Sequence, residues 1–172
     1  FRPITPVYLP IDEAHPLQAQ DAYGLSKILI EDLTQGFARR DPEMSLMVMR
    51  FSYIIEPEDY ASELKLAWSS TGQNAFNLWC YIDVRDVARA CRLAVESPRT
   101  GYDAFYIAAP DTLMREPTRD LIQQHFPGVE RIAEGFGGRM APLDGRRAAE
   151  ALGFTAQYTW QDAVDAPPAP DR

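Results

Sequence analysis

Asp21-Ala22-Tyr23-Gly24-Leu25-Ser26-Lys27-Ile28-Leu29 opens the stretch that decides the fold. It runs on through Leu33 and Phe37 to Arg39-Arg40-Asp41-Pro42, and then into Met44-Ser45-Leu46-Met47-Val48-Met49-Arg50-Phe51-Ser52. Leu25, Ile28, Leu29, Leu33 and Phe37 recur at three and four residues, the period of one side of an α-helix. Asp21 is placed to cap its first turn, and the two arginines complement the negative end of the helix dipole before Pro42 forbids continuation. Met44 to Ser52 is a short, nearly continuous apolar run, which suits a strand buried on both faces of a parallel sheet.

The same alternation continues downstream. Glu58 to Ser69 is expected to be helical, Thr71 to Asn74 a turn, and Phe76 to Ile82 a short strand. Asp83 to Glu96 carries Val84, Val87, Ala88, Cys91, Leu93, Ala94 and Val95 on one broad side of a helix that Ser97-Pro98 stops. Tyr102 to Ala108 is aromatic and β-branched, hence a strand. Pro117 to Phe126 and Gly145 to Leu152 are expected helices, the first with Pro at its start and the second with Gly153 where a left-handed C-terminal cap belongs. Helices alternating with buried strands give an α/β class with a parallel sheet. The first twenty residues hold four prolines and read as loop, and the tail Ala166 to Pro170 as frayed.

Composition narrows the function. The 172 residues carry 17 Lys+Arg against 25 Asp+Glu, a net charge of -8, which repels a phosphate backbone and argues against nucleic acid as partner. No apolar run reaches the length of a membrane helix and no signal-peptide pattern opens the chain, so the expected location is cytoplasmic, with no membrane partner. Cys80 and Cys91 are expected to be buried reduced thiols. His15 and His125 stand far apart, and no cluster has metal-ligand spacing, so no metal is expected. The chain opens on Phe1-Arg2-Pro3 as though inside a loop, and a fragment is expected.

Tyr23 and Lys27 are the sharpest candidates for chemistry. At i and i+4 on a helix they share a face, so the ammonium can approach the phenol and favour its phenolate. A free phenol titrates near pH 10, and bringing it to about 7 takes roughly 4 kcal/mol of differential stabilisation. A cation in a desolvated pocket, helped by a positively charged cofactor ring, supplies energies of that order, which makes Tyr23 a candidate proton donor and acceptor. Gly24-Leu25-Ser26 starts like a nucleophile elbow, but Ile28 stands where its second glycine belongs. Asp83, Arg85 and Asp86 read as capping and ion-pairing residues, and Arg146-Arg147 as a solvated helix end.

Around that pair lie further segments: Pro10-Ile11-Asp12-Glu13-Ala14-His15-Pro16-Leu17, Met49-Arg50-Phe51, Trp79-Cys80-Tyr81-Ile82-Asp83-Val84-Arg85-Asp86-Val87-Ala88 and Ala148-Ala149-Glu150-Ala151-Leu152-Gly153-Phe154. Taken in order with Tyr23-Gly24-Leu25-Ser26-Lys27, they resemble the C-terminal half of the extended short-chain dehydrogenases/reductases, the NAD-dependent epimerase/dehydratase group. The resemblance spans nearly all of the chain. It implies a partial Rossmann-type fold, the C-terminal part of a doubly wound parallel sheet with a small substrate-binding region. The implied division puts 1–56 and 76–110 in the Rossmann-type portion, 57–75 and 111–165 in the substrate subdomain, and 166–172 in the tail.

The resemblance further implies NAD or NADP as cofactor, with Tyr23 as catalytic acid/base and Lys27 on the nicotinamide ribose. Phe51 and Ser52 would line the cofactor, and Ser52, Tyr53 and Trp79 a small-molecule substrate. Many relatives hold asparagine where Ser52 stands, and those acting on nucleotide sugars hold an arginine where this chain has Trp79. A neutral indole forms no bidentate ion pair with a diphosphate, so the expectation leans away from a UDP-sugar epimerase, with Arg131 and Arg139 as candidate substitutes. The family's Gly-rich pyrophosphate turn is missing: Gly135-Phe136-Gly137-Gly138 comes late and has Met140 at the third glycine's place. The family's catalytic Ser or Thr would fall before Phe1. Residues 1–172 alone are therefore expected neither to bind NAD tightly nor to turn over, and a homodimer is a family expectation. The competing reading is a non-catalytic dinucleotide sensor on the same scaffold.

Overall fold

The computed structural model describes residues 4–165. The expectation for the Ala166 to Pro170 tail lies outside them. In chain order the elements are β1 (Tyr8–Leu9), α1 (Ala22–Arg40), β2 (Ser45–Phe51), β3 (Tyr53–Ile55) and α2 (Tyr60–Ala67). They continue with β4 (Tyr81–Asp83), α3 (Val84–Glu96), β5 (Gly101–Ile107), α4 (Thr118–His125), β6 (Arg131–Ile132), α5 (Arg146–Leu152) and α6 (Trp160–Asp165). All three strand pairings are parallel: β2 with β5, β3 with β4, and β1 with β6. The α/β class read from the sequence is the observed one.

The central ladder runs from Ser45 opposite Gly101 to Phe51 opposite Ile107. Each parallel return is made through a helix, as parallel strands require. Beyond β2, Ser52 N–H still donates to the Ile107 carbonyl (3.1 Å), and β3 then turns away to pair with β4. On the other side Ala109 N–H donates to the Tyr81 carbonyl at 2.7 Å, so the chain leaving β5 closes onto β4.

Two apolar cores result. The first gathers Leu9, Ile55, Tyr60, Leu64, Trp79 and Phe126, among others, beneath α2 and α4. The second gathers Ile82, Ala90, Phe105, Ile107, Ala148 and Phe154 between β5, α3 and α5. Helix α5 thus packs with the central strands, although the sequence reading assigned it to the substrate subdomain. Its end is set by Gly153, whose φ of +68° meets the left-handed cap expected from sequence.

Several expectations are corrected. Phe76 to Ile82 is not one strand: Ala75–Asn77 form a 3-10 turn, and Leu78 and Trp79 follow with φ of +56° and +58° before β4 begins. Left-handed backbone costs a non-glycine residue roughly 1–2 kcal/mol. It is held here because Trp79 N–H is caught by the Asn74 carbonyl and the Asn77 side chain (both 3.0 Å) while its indole is fully buried. Strand β2 is half-buried and not covered on both faces. Cys80 is buried, but Cys91 is exposed, because α3 turns Ala90 and Asp86 inward and leaves Cys91 on the outer side. Arg146 and Arg147 stand exposed at the start of α5, as expected, and are also paired: Arg146 binds Asp144 through Nε (2.9 and 3.0 Å) and Nη2 (2.5 Å), and Arg147 binds Asp103.

Helix α1 exposes its apolar side, as a helix that packs against a second copy would. Its bounds and its cap are those expected, with the Asp21 carboxylate accepting the Gly24 N–H at 2.8 Å. Leu25, Leu29 and Leu33 point outward at 47%, 67% and 60% exposure, while the residues it buries are Glu31 and Ala38. The periodic leucines mark an apolar side that the described residues leave uncovered. The helix is anchored to the sheet through a carboxylate.

Candidate active site

Tyr23 stands in the first turn of α1 and is 73% exposed. One turn on, the Lys27 ammonium lies 4.9 Å from the centroid of the Tyr23 ring. The i, i+4 spacing has therefore brought cation and phenol together, as the sequence suggested. The start of the helix is tightly specified: a Cβ at Gly24 would stand 2.7 Å from the Ala19 Cβ and 3.3 Å from the Asp21 carboxylate. Glycine at this position lets the preceding loop fold close against the cap.

Below the pair lies a charged cluster that sequence reasoning missed. Glu31, 6% exposed, receives the Arg50 guanidinium from β2 through Nε at 3.1 Å and through Nη2, and the Tyr102 hydroxyl from β5 at 2.5 Å. Burial alone would raise the Glu31 pKa; the hydrogen bonds from Arg50 and Tyr102 more than offset it and hold the carboxyl below its ordinary value. For Tyr102, burial and the bond to Glu31 push the phenol up to about 12. Arg50 also donates to the Glu13 carbonyl (3.3 Å), and the Glu13 carboxylate accepts the Tyr106 N–H at 2.8 Å. The one available signal was Arg50, a lone charge near the end of the apolar strand; Glu31 stands beside Asp32 and is not marked out in the helix.

The loop leading to α1 is equally tied. His15 Nε2 accepts the Val7 N–H at 3.0 Å and Nδ1 lies 2.9 Å from the Pro16 carbonyl, the arrangement of a tautomer that donates from Nδ1. Tyr8 stacks on His15 at 4.8 Å and donates to Asp12 at 2.5 Å. That bond, with burial, pushes the Tyr8 phenol up to about 12.

The other sequence candidates divide. Phe51 ends β2 at the carboxyl edge of the parallel pair, 37% exposed, and Ser52 follows it. The Ser52 hydroxyl is turned to the Ile107 carbonyl at 3.2 Å. Tyr53 is 42% exposed, and burial with nearby Glu63 raises its phenol pKa. Phe51 to Tyr53 thus form one exposed edge where parallel sheets carry their ligands. Trp79 is not brought to it: its indole is fully buried, donates to the Thr71 carbonyl at 2.7 Å, and packs edge-on against His125 and Phe126. Of the candidate arginines, Arg139 lies over Trp160 at 4.9 Å and is paired with Asp111, whereas Arg131 lies over the Tyr8 ring at 5.1 Å.

Asp83 and Asp86 are structural, as read from sequence. Asp83 caps α3 and grips Arg85 through two bonds of 2.8 Å. Buried Asp86 accepts the N–H groups of Gln157 and Tyr158 at 2.8 and 3.0 Å. Among the described residues no group of His, Cys, Asp and Glu could hold a metal ion, and no helix is long and apolar enough to cross a membrane.

No protein-family model matches the chain, and no curated protein matches it in sequence. Solved structures do match in fold, several of them with NAD or NADPH bound. One is a short-chain dehydrogenase/reductase superfamily protein from Agrobacterium tumefaciens with bound NAD, at 19% identity and a TM-score of 0.60 over 93% of this chain. The particular relatives include UDP-glucose 4-epimerase from Bifidobacterium longum in complex with NAD+ and UDP (18%, TM-score 0.58, 93% of this chain). A third is RMD from Pseudomonas aeruginosa complexed with NADPH (20%, 0.59, 91%). The chain spans only 57% to 60% of the length of these three proteins. At such identities the likeness establishes the fold alone, a Rossmann-like α/β scaffold.

Proposed function

We propose that this chain is the Tyr/Lys-bearing portion of an NAD(P)-dependent oxidoreductase or epimerase/dehydratase acting on a carbonyl or sugar-like small molecule. The observation that carries the reading is the Lys27 ammonium 4.9 Å from the ring of an exposed Tyr23. In this reading the Tyr23 hydroxyl gives a proton to, or takes one from, the substrate oxygen, beside the Lys27 ammonium. Phe51 and Ser52 line the nicotinamide side, and Ser52 and Tyr53 the substrate. A bound nicotinamide cofactor supplies the hydride acceptor or donor that proton transfer at Tyr23 accompanies.

The residues fit one end of such a cofactor. Among the described residues Lys27 forms no ion pair, so its ammonium is free to meet ribose hydroxyls. Gly135, Gly137 and Gly138 follow the two-residue β6 and open no helix, so they supply no strand-to-helix cradle for a pyrophosphate. Residues 1–172 by themselves are accordingly expected to show no micromolar NAD binding in a calorimetric titration. Homodimerisation through the outward leucines of α1 belongs to the same reading and is checked by sedimentation.

The test of function uses the protein that carries this chain, NAD(P)H or NAD(P)+, and a panel of carbonyls and nucleotide sugars. Turnover that Tyr23→Phe abolishes supports the reading. Tight cofactor binding without turnover on any of the panel supports the dinucleotide-sensing alternative, and turnover untouched by Tyr23→Phe removes Tyr23 from the chemistry.

A further inference from the structure

Tyr23, Lys27 and Glu31 follow one another at four-residue steps along α1. Lys27 therefore has two neighbours one turn away: a phenol before it and a carboxylate after it. On a bare helix the carboxylate wins, because a lysine and a glutamate at i, i+4 attract and a neutral phenol offers a cation only the face of its ring. The structure shows the opposite outcome. Lys27 lies on Tyr23, and Glu31 is turned down to the sheet, where Arg50 of β2 and Tyr102 of β5 occupy its oxygens.

We propose that Arg50 is a positioning residue that captures Glu31, denies it to Lys27, and so leaves the ammonium free for Tyr23 and its ligand. This rests on the reading of Tyr23 and Lys27 as the proton-transfer pair. The surroundings suit that task. Arg50 is held from behind by the Glu13 carbonyl at 3.3 Å and lies 5.1 Å over the Tyr106 ring, which fixes the guanidinium under Glu31. The ionisable groups facing Glu31 are Arg50 on β2 and Tyr102 and Tyr106 on β5, with Lys27 one turn before it on α1; the Glu13 carboxylate lies by Tyr106 and Arg147. Arg50 is thus the cation that meets Glu31 from the sheet side, and on α1 Lys27 stands at the i, i+4 spacing from which a lysine reaches a glutamate. A buried carboxylate without a cation is strongly unfavourable, so Glu31 would draw Lys27 off the phenol.

The chain has two lysines, Lys27 and Lys65, which makes the effect directly readable. Both are dimethylated with 13C-labelled formaldehyde, a modification that keeps the charge, and each methyl resonance is titrated by NMR. Lys65→Arg assigns the Lys27 signal. Arg50→Met is expected to raise the Lys27 midpoint by about 0.2 to 0.4 pH unit, as an i, i+4 ion pair forms. Adding Glu31→Gln to Arg50→Met is expected to return it, since an amide does not hold the ammonium. A merely structural role for Arg50 predicts no such rescue.

Arg50→Lys retains the charge with fewer donors and gives a smaller displacement of the same sign, which keeps the test in force should the methionine variant fail to fold. An unchanged Lys27 midpoint in both Arg50 variants overturns the proposal, as does a shift that Glu31→Gln leaves in place. Failure of the functional reading shows itself elsewhere, as turnover that survives Tyr23→Phe, and leaves the lysine titration untouched.

Discussion

Glu13 and Tyr106 stand 93 residues apart in sequence, and the carboxylate of one accepts the backbone N–H of the other at 2.8 Å. The loop that precedes α1 is thereby bonded to β5, one of the two strands against which the helix packs. Glu13→Ala strips the acceptor from that N–H and loosens the loop end nearest Tyr23. A loss of about 1–2 kcal/mol is expected, read from the urea midpoint at unchanged m-value.

Glu31 sets a pH dependence of stability. Its carboxyl titrates below its ordinary 4.5 when folded, so the folded protein resists protonation of Glu31 more than the unfolded chain does. Its contribution is complete above 4.5 and is lost as the pH falls through the lower folded value. Glu31→Gln is therefore expected to flatten the decline in thermal midpoint between pH 5 and acid. A Glu31→Gln curve parallel to the parent over that range would contradict the assignment.

Gly24→Ala tests the start of α1. The added methyl meets the Ala19 Cβ at 2.7 Å, so either the loop or the cap must move. Destabilisation of about 1–2 kcal/mol is expected despite alanine's better helix propensity, together with loss of amide-exchange protection at Gly24, whose N–H Asp21 holds.

Trp79 distinguishes a core residue from a ligand contact. Its fully buried indole predicts that Trp79→Ala costs about 3–5 kcal/mol. Trp79→Arg is expected to destabilise the fold and to confer no UDP affinity, since the position is buried. Calorimetry of UDP against that variant is the check.

His15 is expected to hold its proton on Nδ1, because Nε2 must accept from Val7. Long-range 1H–15N correlation spectra of the imidazole read the tautomer directly. A proton found on Nε2 would mean that the loop from Val7 to Pro16 is closed in another way.

What could be read in the sequence were the properties that neighbours along the chain decide. The Asp21 cap, the 19-residue span of α1, the parallel pairing class of Met44 to Ser52 and Tyr102 to Ala108, and the Gly153 cap all follow from period and local backbone preference. The Tyr23 and Lys27 pairing is of this kind as well, since four residues of helix suffice to bring the two side chains together. Tertiary structure decided everything that depends on who meets whom across the sheet. It turned the leucines of α1 outward and Glu31 inward, buried Trp79 instead of offering it to a ligand, and joined Arg50 and Tyr102 on one carboxylate. The periodic pattern says that a face is apolar, but which neighbour covers it is set by long-range packing, and a buried charge becomes tolerable only once the fold has delivered its partner.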